Sequence, residues 1–111
     1  MIRILLDECL PVKLCYRFQE LDETFLVSTV TNQRWNGIKN GKLLELAQLD
    51  FDIFITIDQN IAYQQSLSSF SIALIALEAS SNRYNDLLPF IELTVKLINN
   101  CKPGRFYTVS I

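Results

Sequence analysis

Short apolar runs alternate along this chain with longer segments of helical periodicity. Residues 2–6 read Ile-Arg-Ile-Leu-Leu and show no alternation, as suits a strand buried on both faces. Leu10, Leu14, Phe18 and Leu21 then recur at helical spacing. They predict an amphipathic helix over 10–21, with Pro11 in its first turn. A β-branched and aromatic run predicts a second strand over 25–30, followed by a polar loop over 31–39. Asn40 is a good N-cap for a helix over 41–50, with Leu43, Leu44, Leu46, Ala47 and Leu49 as its apolar positions. A third strand follows over 53–57, and residues 58–60 open a short helix or turn. A fourth strand is expected over 71–77, ending at Glu78. A last helix is expected over 86–99, striped by Leu87, Ile91, Val95 and Ile98, and Pro89 fits it only in the first turn. Pro103-Gly104 marks a turn before a terminal edge strand over 105–111.

Strands that alternate with helices imply a single α/β domain over 1–111, with a mostly parallel sheet of about five strands covered on both faces. In such sheets ligands bind beyond the carboxyl ends of the strands, near the point where strand order reverses. Asp7 and Glu8, Asp58, and Glu78 all fall at expected carboxyl ends. Two apolar strands that each deliver an acid to the same end are the clearest chemical signal in the chain.

Composition narrows what that end can do. The 111 residues are half apolar, enough for one core, and the formal net charge is −2. That charge argues against a broad basic footprint, although the 10 Lys and Arg leave room for a local patch. Histidine is absent, which removes the usual zinc ligand and the serine-hydrolase base. The three cysteines, Cys9, Cys15 and Cys101, show no metal-knuckle or disulfide spacing, as expected in a reducing cytoplasm. Cys9 beside Glu8 is expected to stay a neutral thiol. No signal peptide or membrane span is expected.

Acid–base or metal chemistry therefore falls to carboxylates. Two carboxylates in one cleft repel each other unless a cation neutralises them, and Mg²⁺ or Mn²⁺ suits hard oxygen ligands. Such an ion can orient water and offset the charge that builds on a phosphodiester. Taken singly, Asp7 and Asp58 are accounted for as helix caps worth about 1 kcal/mol. Taken together, capping and metal binding weigh equally. Glu45 reads as solvent-exposed or surface-paired, Lys42 as a solvated charge or a phosphate contact, Glu8 as a second ligand or a solvated acid, and Trp35 as cover for the core or a ligand- or partner-facing anchor. Gly-rich phosphate loops and nucleophile elbows are absent.

The segments Leu6-Asp7-Glu8-Cys9-Leu10-Pro11, Trp35-Asn36-Gly37-Ile38-Lys39-Asn40-Gly41 and Thr56-Ile57-Asp58-Gln59-Asn60 resemble a small bacterial family of PIN-like proteins. Tyr63-Gln64-Gln65 and Ser81-Asn82-Arg83 are similar to one branch of it. The resemblance implies a three-layer α/β/α fold and kinship with metal-dependent ribonucleases, many of them toxins of toxin–antitoxin pairs. It implies that Asp7, Asp58 and Glu8 are the catalytic acids, and that Asp7 and Asp58 hold Mg²⁺ or Mn²⁺ with help from Asn40 and Asn60. Asn40 and Asn60 stand where many relatives carry acids, and an amide brings no charge.

Two functions follow as expectations. In the first, the chain is a cytoplasmic ribonuclease with an RNA substrate and a small antitoxin-like partner, with Lys39 and Arg83 contacting phosphates. In the second, it is a degraded module that binds RNA or protein without cleavage, with Trp35, Tyr63 and Gln64-Gln65 at the interface. A small-molecule phosphatase is a third and weaker reading, and self-association is compatible with each.

Overall fold

The computed structural model describes residues 1–61 and 67–111. Tyr63 and Gln64-Gln65 lie outside the described residues. Five strands form one sheet: β1 (Ile2–Leu6), β2 (Phe25–Thr29), β3 (Ile53–Thr56), β4 (Ala73–Leu77) and β5 (Phe106–Val109). Their order is β2-β1-β3-β4-β5, and all four pairings are parallel. Three helices flank the sheet among the described residues: α1 (Lys13–Leu21), α2 (Asn40–Ala47) and α3 (Tyr84–Ile98). A short 3-10 helix at Leu67–Ser69 precedes β4.

The inner strands are buried on both faces, as their unbroken apolar runs require. Successive residues point to opposite sides of a strand, and the two cores divide accordingly. Ile4 and Leu6, Ile53 and Ile55, and Ala73, Ile75 and Leu77 pack with Leu14 and Phe18 of α1 and Leu87 and Ile91 of α3. Leu5, Phe54 and Leu74 pack on the other side with Leu43, Leu44 and Ala47 of α2. The result is three layers, α/β/α.

Several boundaries differ from the sequence expectation. α1 begins at Lys13, because Leu14 and Cys15 first make tighter bonds to Pro11 and Val12. Leu21, expected on the apolar stripe, is 36% exposed. Asn40 is the first residue of α2, and Lys39 takes the cap position without a side-chain cap bond. α2 ends at Ala47, so Leu49 lies beyond it and is 72% exposed. α3 begins at Tyr84, which puts Pro89 in its second turn. The missing N–H deprives the Asn85 carbonyl of its helical partner. Asn85 is exposed, so water can satisfy that carbonyl. β3 is the middle strand of the five.

The turn at Pro103-Gly104 is as expected, with Gly104 at φ 76°. A Cβ there would lie 3.2 Å from the Phe70 carbonyl, so only glycine fits without strain.

Phe54 is fully buried in the middle strand. Phe54→Ala is expected to lower unfolding free energy by about 3–5 kcal/mol, because the cavity adds to the lost transfer energy. Urea denaturation measures it.

Candidate active site

Strand order reverses between β1 and β3: the chain leaves β1 outward to β2, then crosses back to β3. In sheets of this topology the carboxyl ends of the strands on either side of such a point are the usual place for a ligand. Asp7 follows directly on β1, and its N–H donates to the Ile55 carbonyl at 2.9 Å. With Leu6 opposite Ile55, Asp7 comes level with Thr56. The Thr56 hydroxyl donates to Asp7 Oδ2 at 2.6 Å and accepts the Asp58 N–H at 3.1 Å. One fully buried hydroxyl therefore ties the two acids to the same end of the sheet. A buried hydroxyl is costly unless both its donor and acceptor capacities are used, and here both are.

Helix capping does not account for Asp7. Its Oδ1 accepts the adjacent Glu8 N–H at 2.8 Å, and α1, which starts six residues on, has no side-chain cap. Asp58 does have a local role, its Oδ1 accepting the Asn60 N–H at 2.9 Å and closing the turn.

The residues after Asp7 are held from other loops. Asn36 Nδ2 donates to Glu8 Oε2 and to Thr31 Oγ1, each at 2.9 Å. Asn82 Nδ2 donates to the Cys9 carbonyl at 3.0 Å. Asp7 thus receives a bond from the last residue of β3, and Glu8 and Cys9 receive theirs from the loops after β2 and β4. Sequence reasoning missed Asn36 and Asn82 as site residues. Both nevertheless lie in segments that carry the PIN-like resemblance.

Other expected site residues are more peripheral. Asn40 is half-buried in the first turn of α2, and Asn60 is exposed and supplies its N–H to Asp58. Lys39 and Arg83 directly precede α2 and α3, and both are exposed. A cation at a helix N-terminus faces the positive end of the dipole, so neither placement helps its helix. Glu78 is exposed, and its N–H binds the Val109 carbonyl at 2.8 Å. Lys42 and Glu45 are exposed and 3.7 Å apart, as expected of solvated charges. Trp35 is half-buried and packs edge-on against Phe51 at 6.2 Å between centroids, which makes it core cover.

No group of three His, Cys, Asp or Glu side chains among the described residues could hold a metal. The donor chemistry nevertheless fits a hard ion. An ionised carboxylate offers about four acceptor positions. Asp7 Oδ1 accepts the Glu8 N–H, Asp7 Oδ2 the Thr56 hydroxyl and Asp58 Oδ1 the Asn60 N–H, and the Cys9 thiol also bonds to Asp7. Mg²⁺ typically takes one or two carboxylates and keeps several waters. Glu8, turned toward Asn36, stands outside that pair.

The half-buried Cys9 thiol is raised above its ordinary pKa, first by burial and then by the Asp7 carboxylate. The expected neutral thiol follows, with Asp7 rather than Glu8 as the charge responsible. Burial also raises Cys15, and it pushes Cys101 up to about 11. All three cysteines are free thiols. No helix among the described residues is long and apolar enough to cross a membrane. Comparison with known protein families, curated proteins and solved structures finds no match.

Thr56→Val keeps the shape and removes both bonds. It is expected to cost about 1–3 kcal/mol by leaving the Asp58 N–H and an Asp7 oxygen without their partner, as read by urea denaturation at neutral pH. Because the thiolate is the reactive form, iodoacetamide at pH 8 is expected to alkylate all three cysteines more slowly in the folded than in the unfolded chain. For Cys101 the folded-state rate should rise with pH toward about 11. Mass spectrometry of quenched samples measures both.

Proposed function

We propose that this chain is a PIN-like, metal-dependent endoribonuclease, the toxin-like half of a two-protein module that works in the cytoplasm. The observation that carries this reading is the Asp7–Thr56–Asp58 arrangement at the switch point between β1 and β3. Asp7 and Asp58 are the residues that would hold Mg²⁺ or Mn²⁺, which when bound supplies charge neutralisation and an oriented water for phosphodiester hydrolysis. The Thr56 hydroxyl donates to the Asp7 carboxylate and accepts the Asp58 backbone N–H, while the Asn60 N–H holds Asp58 Oδ1, so both acids are set before substrate arrives. Their fixed orientation lowers the reorganisation needed at the moment of reaction. Glu8 is exposed and hydrogen-bonded to one amide, so it can turn toward a bound strand at small cost. Asn40 and Asn60 are neutral oxygen donors at the same end. Lys39 and Arg83, exposed and without an ion pair among the described residues, suit phosphate contacts. A small antitoxin-like protein is the expected partner.

A second reading has its own observation. With no three-acid group among the described residues, the same site suits a module that binds RNA or a partner without cutting. Trp35 is half-buried and edge-on to Phe51, so only part of its ring is open to such a partner.

Incubation of varied RNAs with Mn²⁺ or Mg²⁺ separates the two. Cleavage is expected from the wild type, with a loss of about 100-fold or more in Asp7→Asn, in which a charged ligand becomes neutral. Absence of cleavage together with absence of metal binding by calorimetry would sink the nuclease and leave the binding module.

A further inference from the structure

Among the described residues Arg34 is the sole non-glycine at positive φ, at 62°. It ends a single helical turn in which the Trp35 N–H binds the Val30 carbonyl and the Arg34 N–H binds the Thr31 carbonyl, each at 3.0 Å. This is the Schellman pattern, and its left-handed position normally falls to glycine or asparagine. An L side chain there crowds the following carbonyl oxygen. The same loop does use glycine at its other positive-φ residue, Gly37.

Among the described residues the Arg34 side chain makes no hydrogen bond that would offset the strain. Arg34 is exposed and makes no ion pair, whereas Arg3, Arg17 and Lys42 pair with Asp52, Glu92 and Glu45. Its loop leaves the carboxyl end of β2 beside β1, where the Val30 N–H binds the Leu6 carbonyl at 2.9 Å. Two residues beyond Arg34, Asn36 reaches Glu8. A strained arginine is thus carried by the loop that leaves the same end of the sheet as Asp7, the loop that also holds Lys39. Strain retained where the surroundings enforce it is a marker of function.

We propose that Arg34 is a phosphate-binding residue for an RNA strand that enters the acidic site. The inference rests on the RNA-directed reading above. Guanidinium presents a planar fork matched to phosphate oxygens, which neither glycine nor asparagine supplies at this turn. Arg34 holds the strand's backbone beside Asp7 and Asp58 without reading its bases.

The test is RNA binding in EDTA, which separates it from cleavage. The probe is a short fluorescein-labelled oligouridylate, followed by anisotropy over a salt series, with thermal unfolding in parallel. Loss of one single-strand phosphate contact reduces the slope of log affinity against log salt by about 0.7, or about fivefold between molar and tenth-molar salt. Arg34→Gly is therefore expected to bind about fivefold more weakly at tenth-molar salt. Its melting midpoint is expected to rise by about 4 °C as strain is relieved. Arg34→Lys, which keeps charge and backbone strain, is expected to retain most of the affinity and the wild-type midpoint. Unchanged affinity and slope in Arg34→Gly, with the wild type binding, overturns the role of Arg34 alone. A lowered midpoint in Arg34→Gly also overturns it, since the side chain would then serve the fold. Absence of wild-type binding overturns it together with the RNA-directed reading.

Discussion

The pairing of β1 with β3 governs the rest of this structure. Leu6 lies opposite Ile55, and the Asp7 N–H continues the ladder by one further bond. Both strands are buried on both faces, so a slip of one residue would send Leu5 and Phe54 into the core that Ile4 and Ile55 now fill. The cores hold the register, and the register sets Asp7 level with Thr56. The chemistry at the carboxyl end is therefore anchored by hydrophobic packing several residues away.

The end of the sheet combines rigid and loosely held parts. Thr56 is buried and fully bonded, and Asp7 shares its hydroxyl. Glu8, Asn36 and Asn82 are exposed, and their mutual bonds compete with water, so each is worth little alone. Arg34, Lys39 and Arg83 make no ion pair among the described residues. Arg34, Lys39 and Arg83 each stand where local backbone or dipole preferences would favour another residue. Natural chains tend to depart from local preference where function requires it.

Much of the fold was legible in the chain. Every expected strand is present within a few residues, because unbroken apolar runs of that length bury well only in an inner sheet. Helix starts were less legible. Pro11 and Asn40 are favourable starting signals, yet α1 begins two residues after Pro11 and α2 includes Asn40 as its first residue. Terminal turns depend on which tight bonds the approach to the helix allows, and no periodicity encodes that. Leu49 fits the spacing of α2 but lies past its end in solvent. Pro89 was expected in a first turn and sits in the second, where exposure of Asn85 lets water take the unpaired carbonyl.

By itself the sequence determined the class of fold and the arrival of Asp7 and Asp58 at strand ends. Strand periodicity and the acids that follow it are local properties, written in consecutive residues. Tertiary structure decided the neighbours of those acids. Thr56 meets Asp7 across 49 residues, Asn36 meets Glu8 across 28, and Asn82 meets the Cys9 carbonyl across 73. It also placed β3 in the middle of the sheet and turned Glu8 toward Asn36. Short polar side chains are compatible with turns, caps and surfaces alike, so their partners emerge only when strand order brings distant loops to one end.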